Sequence, residues 1–164
     1  LYGVVDEENY DRFFEQLLRL ETRYNSGQPY GDWGVLNAFP LYENGGKQYQ
    51  YQNGTDWPFL SGINGGARLL HDNSGWRYPL TRWWTYFQES GYDVEPFPEF
   101  VSPIDFQSGP VQAWSVNPAS SLVRYGLGLS PDITGAYRLK TPPWGDTLLE
   151  NIVVRGTRMN IHQK

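Results

Sequence analysis

The sequence predicts a mainly α-helical chain that closes on a short β-rich segment. Apolar residues recur at helical spacing in four stretches before Pro131, and after Pro131 they fall into short alternating or β-branched runs broken by Pro and Gly. Between the helical stretches lie long spans rich in Gly, Pro and Asn, which predict helices joined by extended loops at one end of the fold.

Asp6 is the expected N-cap of the first helix, with Glu7 and Glu8 in its first turn, where negative charge meets the positive end of the helix dipole. Tyr10, Phe13, Phe14, Leu17 and Leu18 then recur at i, i+3, i+4, i+7 and i+8, predicting an amphipathic helix over 7–23. Residues 25–56 lose that period and form a loop too long for a plain connector. A second helix is expected from Thr55-Asp56-Trp57-Pro58, with Thr55 or Asp56 as cap and Pro58 in the first turn, running to about Leu70. Gly62, Gly65 and Gly66 weaken that helix and imply that another backbone approaches it closely.

A third helix is expected over 79–90, carrying Leu80, Trp83, Trp84 and Phe87 on one side, with Gly91 just past its end. The four prolines of 92–110 make that segment a loop. A fourth helix is expected over 111–125, stopped by Gly126 or Gly128, with Pro118 near its first turn or marking a kink. In the tail, Ala136-Tyr137-Arg138-Leu139, Thr147-Leu148-Leu149 and residues 151–157 predict roughly two to four strands. The chain therefore divides into a helical part, 1–130, and a β-rich tail, 131–164.

Composition narrows the chemistry. Aromatic residues make up 16% of the 164, with seven Trp and twelve Tyr, against 19% for Lys, Arg, Asp and Glu together. Rings of this kind fill cores, and they also stack on the flat apolar faces of sugars. The net charge of −5, with no basic run, argues against a nucleic-acid partner. No run of roughly eighteen apolar residues and no charged-then-apolar leader is legible, so no membrane partner is expected and the compartment stays open. With no Cys, disulfides, thiol catalysis and Cys-based zinc sites are excluded, and His71 and His162 lie too far apart in sequence to suggest a metal site. No cofactor or metal is expected. The chain begins at Leu1 and its only Met is Met159, which points to a piece of a longer molecule.

Three strings carry a family likeness. Tyr51-Gln52-Asn53-Gly54-Thr55-Asp56-Trp57-Pro58 resembles the Y-x-N-G-x-x-W-P element of the six-hairpin, (α/α)6-barrel glycoside hydrolases, the superfamily of amylo-α-1,6-glucosidases, glucoamylases and α-L-rhamnosidases. It departs at Asp56, where a small or apolar residue is more usual. Pro98-Glu99-Phe100, then Gln112-Ala113-Trp114-Ser115, is similar to the family's acid residue, loop and Q-A-W-S helix start. Leu127-Gly128-Leu129-Ser130-Pro131-Asp132, Pro142-Pro143-Trp144 and the run from Leu149 to Gly156 resemble the exit from the last barrel helix into a β-rich segment. The likeness covers roughly residues 30–160 and implies the C-terminal third of an (α/α)6 barrel, about four helices, followed by the β-rich tail.

The resemblance implies a glycoside hydrolase working by metal-free acid/base catalysis, with inversion. Inverting enzymes hold two carboxyls about 6.5–9.5 Å apart, one protonating the leaving oxygen and one activating water on the opposite face of the sugar. Glu99 takes the part of the general base, and the general acid is expected upstream of Leu1. Tyr51, Asn53 and Gln112 are expected to hydrogen-bond sugar hydroxyls, Trp57 and Trp114 to stack on sugar rings, and Asp56 to cap its helix or touch substrate. The expected partners are an oligosaccharide or polysaccharide substrate and, for the uncovered apolar faces, the remainder of its own polypeptide or another copy of itself. Two alternatives stand beside this: a phosphorylase of the same fold, and a catalytically silent carbohydrate-binding or structural protein.

Read without the resemblance, several residues keep two meanings. Glu99 is a solvated loop carboxylate or a pocket acid, Trp114 a core ring or a platform, Asn53 a turn former or a sugar contact. Asp32, in Tyr30-Gly31-Asp32-Trp33-Gly34, is a turn residue or a pocket acid. Arg68, Arg82 and Arg124 are helix-surface charges or partners in buried ion pairs, and His71 suits a helix end.

Overall fold

The computed structural model describes residues 5–91, 97–104, 111–130, 139–154 and 156–164. Helices dominate them, and a two-stranded antiparallel sheet lies near the C-terminus. The chain is thus mainly α with a short β segment. The strand expected at 136–139 falls almost wholly outside the described residues, as does most of the loop 92–110.

The first helix is shorter than its periodicity suggests. A 3-10 turn, Glu7–Asn9, leads into α1, Tyr10–Leu18. The helix ends there because the next residues are recruited by the loop: Thr22 N–H donates to Gly34 O at 2.9 Å and Leu36 N–H to Leu20 O at 2.8 Å. A tertiary pairing has overridden helix propensity. Asp6 makes no side-chain cap; its carbonyl accepts from Asn9 N–H at 2.9 Å.

Helix α2, Pro58–Leu70, starts on its proline as expected and is the centre of the helical part, packing against both later helices. Its glycines set that packing. A Cβ on Gly62 would overlap Asn117 and Pro118, one on Gly66 would press on Ser121 and Tyr125, and one on Gly65 would enter the Leu80 side chain. Ser121 Oγ closes the contact by donating to Gly62 O at 2.8 Å. Helix α3, Arg77–Glu89, follows a 3-10 turn at Ser74–Trp76 and stops before Gly91, which takes φ 79°, a left-handed conformation that suits glycine.

The expected fourth helix is segmented. A 3-10 turn at Ala113–Val116 precedes α4, Asn117–Ser121, which passes into a π turn, Leu122–Gly126. Pro118 explains the break, since it lacks an N–H and is accommodated in the first turn of α4. In the tail, β1, Thr147–Val154, pairs antiparallel with β2, Thr157–Gln163, and the register shifts between Leu149 and Ile152.

Buried residues gather in three clusters: Trp33, Leu36 and Tyr49 under the long loop; Leu69, Trp76 and Leu80 between α2 and α3; and Trp83, Phe87 and Val101 behind α3. The long loop is therefore a folded layer with its own core.

Candidate functional site

The site grows from two backbone segments held side by side. Asp56 and Val101 exchange both backbone hydrogen bonds, at 3.0 and 2.7 Å, which fixes residues 97–101 against the start of α2. On the other flank Gln112 N–H donates to Phe97 O at 2.9 Å, and Ser115 Oγ donates to Pro98 O at 2.6 Å. Glu99 sits half-buried between these anchors.

Around this strip the aromatic residues assemble. Tyr51 meets Trp57 edge-on at 5.3 Å and Phe100 at 5.9 Å; Trp57 lies 5.8 Å from Phe100 and 6.5 Å from Trp114, and Trp114 lies 6.4 Å from Phe59. The two outer rings face solvent: Tyr51 is 52% exposed and Trp114 48%. Trp57 is locked from behind, its Nε1–H shared between Tyr51 O at 3.1 Å and Thr55 Oγ at 2.9 Å. Thr55 Oγ in turn donates to Tyr51 O.

The turn that presents Tyr51 is strained. Tyr49 and Tyr51 take φ of 57° and 46°, left-handed values disfavoured for a residue with a side chain. Tyr49 N–H to Asn53 O at 2.7 Å and Asn53 N–H to Gln50 O at 3.0 Å hold it. Strain of this kind persists where surrounding structure enforces it, and it turns the Tyr51 ring onto Trp57.

Five of the flagged residues, Tyr51, Trp57, Glu99, Gln112 and Trp114, thus belong to one neighbourhood. Asn53 and Asp56 do not face it, which corrects their reading as substrate contacts. Asn53 is buried; its Oδ1 accepts from Tyr42 N–H at 2.8 Å and its Nδ2 donates to Tyr42 O at 3.0 Å, so its amide staples the loop. Asp56 is buried too and is no N-cap: its Oδ2 accepts from Val35 N–H at 2.7 Å and its Oδ1 from Ser61 Oγ at 2.6 Å. Burial pushes its carboxyl up to about 7, with the hydrogen bonds from Ser61 and Val35 only partly offsetting that rise.

Phe100, the last residue of the string Pro98-Glu99-Phe100, and Phe59, which directly follows Pro58, complete the aromatic cluster, although the sequence assigned neither of them a role. Asp32 serves a different purpose. Its carboxylate accepts from Tyr78 Oη–H at 2.5 Å and faces Arg82 Nε at 3.4 Å, tying the loop to one face of α3. Burial and the Asp32 hydrogen bond both raise the Tyr78 phenol, which stays protonated.

Among the described residues no group of three or more His, Asp or Glu is placed to hold a metal ion, and no helix is long and apolar enough to cross a membrane. The chain matches no protein-family model, no curated protein and no solved structure.

Proposed function

We propose that this chain is the C-terminal part of a glycoside hydrolase of the six-hairpin, (α/α)6-barrel superfamily, with Glu99 as the general base of an inverting, metal-free reaction. The observation that carries the reading is the convergence of Tyr51, Trp57, Gln112 and Trp114, drawn from two separate sequence strings, on the strip that bears Glu99. Half-exposed rings on a strip whose backbone also carries a carboxylate and an amide residue supply the groups that grip a pyranose by its apolar face and its hydroxyls.

In this reaction the Glu99 carboxylate takes a proton from water as the water oxygen bonds to the anomeric carbon. The glycosidic C–O bond breaks, its electron pair stays on the leaving oxygen, and the general acid protonates that oxygen. That acid is assigned to sequence upstream of Leu1. Gln112 and the Tyr51 hydroxyl hold sugar hydroxyls and Trp114 supplies the stacking face; Trp57 is buried behind it, which corrects its reading as a stacking platform.

The apolar row of α2 that remains exposed, Leu60, Ile63 and Leu70, together with Phe13 of α1, suits coverage by the rest of the barrel or by a second copy. Size measurement at native conditions tests this; a dilute, well-folded monomer without a partner is the adverse outcome.

The decisive experiment changes Glu99→Gln in the enzyme with its upstream region present. Loss of about 10²–10⁴-fold in kcat is expected of a missing general base. Turnover that persists within a few-fold excludes Glu99 from that role, and turnover that requires phosphate reassigns the enzyme as a phosphorylase.

A further inference from the structure

The middle of the long loop lies in a different setting. Its residues 37–45 wall a groove of about 900 Å³ whose lining includes Asn37, Phe39, Tyr42, Glu43 and Asn44. Resting on the carbohydrate-active reading above, we propose that this groove is a second saccharide-binding site, which takes neutral sugar units by stacking on Tyr42 and Phe39.

Rigidity comes first. Tyr42 has both backbone polar groups bound by the Asn53 amide, so its position is fixed although its ring is 59% exposed. Asn37 accepts from Gly54 and Thr55 N–H at 2.9 and 3.0 Å through Oδ1, while its own N–H donates to Thr55 O at 2.8 Å. Phe39 is 38% exposed and rests its ring against Gly27, where an added Cβ would come within 2.6 Å of Cζ. The Leu41 side chain fills the space a Cβ on Gly54 would need. An exposed aromatic on a loose loop offers little, because ordering it on binding consumes the gain; here the ordering is done by folding.

Chemistry selects the ligand. The lining contains two accessible rings, two side-chain amides and one carboxylate, and no Lys or Arg. Phosphorylated or otherwise anionic ligands find no counter-charge, and a purely apolar ligand would bury Glu43 and the amides without partners. A neutral sugar satisfies both sets: its C–H face lies on a ring and its hydroxyls reach carboxylate and amide groups. The volume lies in the range of small-ligand sites.

The test is affinity electrophoresis of the chain in soluble starch, mannan, xyloglucan and arabinoxylan, followed by calorimetry with tetra- to hexasaccharides of whichever polymer retards it. Tyr42→Ala is expected to weaken binding about tenfold, the loss of one stacking contact, while Trp114→Ala leaves measurable retardation and the double variant abolishes it. Glu43→Gln, which alters no packing, is expected to weaken binding as well and guards against a misfolded Tyr42 variant. If Tyr42→Ala and Glu43→Gln bind as the parent does while Trp114→Ala loses retardation, the groove is no sugar site and the Glu99 reading stands. If no polymer or oligosaccharide binds the parent, the groove is no sugar site, and the Glu99 reading is decided separately by Glu99→Gln in the enzyme with its upstream region present. If a proline-rich peptide occupies the groove and saccharides do not, the ligand class is wrong.

Discussion

Arg68 and Glu21 form an ion pair inside the protein, Nη2 to Oε1 at 2.8 Å, with side chains only 1% and 0% exposed. The two atoms meet at ion-pair distance without hydrogen-bond alignment. Glu21 is shared, since Arg23 reaches its Oε2 at 2.7 Å, and Arg68 also donates to Asn64 Oδ1 at 2.9 Å and Gly75 O at 3.1 Å. Burial lowers the Arg68 guanidinium from its ordinary value, and the Glu21 charge works against that. Glu21→Gln leaves Arg68 charged and uncompensated, so a loss of about 3–5 kcal/mol is expected. Chemical denaturation at neutral pH measures it; a loss under about 1 kcal/mol would mean that water reaches the pair. Glu21→Leu with Arg68→Met should recover most of the deficit.

Asp56 makes stability fall as pH rises. Its folded carboxyl titrates near 7, from an ordinary value of 3.8. The folded state therefore holds a proton that the unfolded chain has released between those values. The contribution is complete below about pH 4, declines by up to about 1.4 kcal/mol per pH unit, and is gone above about pH 7. Asp56→Asn keeps an acceptor for Val35 N–H and offers a donor to Ser61 Oγ. The variant should match the parent at acid pH and exceed it in stability at pH 8. Parallel pH–stability curves for the two proteins would refute this.

Gly62→Ala reverses the usual benefit of replacing a helical glycine. In an open helix that change gains roughly 0.5–1 kcal/mol. Here the new methyl overlaps the backbone of Asn117 and Pro118, so α2 and α4 must separate, at a cost of about 1–3 kcal/mol. A thermal melt above that of the parent would show that this contact gives way easily.

Asn53→Ala removes the staple of the loop. The Tyr42 amide and carbonyl both lose their partners, which costs about 1–3 kcal/mol for each group left buried without a replacement. Limited proteolysis should then cut within residues 42–52 faster than in the parent while α2 and α3 stay intact. Unchanged cleavage rates would assign the loop's order to Leu41 and Tyr49 instead.

Two helices were legible from a repeating apolar face with an end signal, Pro58 opening α2 and Gly91 closing α3, whereas the stretch before Gly126 is segmented at Pro118. The glycines of α2 were readable as a close approach, though not which backbone approaches. Where reading failed, a long-range contact decided. Residues 20–22 leave the helical pattern because 34–36 pair with them, and no local signal announces that pairing. The site followed the same division: ring positions near Glu99 were readable from the strings, whereas Asn53 and Asp56 turned inward, where Asn53 meets the part-buried backbone of Tyr42 and Asp56 the buried N–H of Val35. The groove beside Tyr42 had no sequence signal beyond a general wealth of Tyr and Asn.

The β1–β2 ribbon is fastened to the helices through Trp144, whose Nε1–H donates to Thr147 Oγ at 2.7 Å while its ring covers Gly126 and meets Trp76 at 5.4 Å. Among the described residues the sheet has two strands, each with one side that has no neighbour there, and Leu148 and Val153 stand exposed on them. Such sides are templates onto which a foreign strand can add. The irregularity at Leu149 and Ile152 works against that, because Asn151, at φ 55°, turns its N–H to the Asn160 side chain rather than outward. A bulged, twisted ribbon offers a poor mould for a flat one. Asn151 and Asn160 thus keep one backbone donor of the ribbon out of reach of an incoming strand.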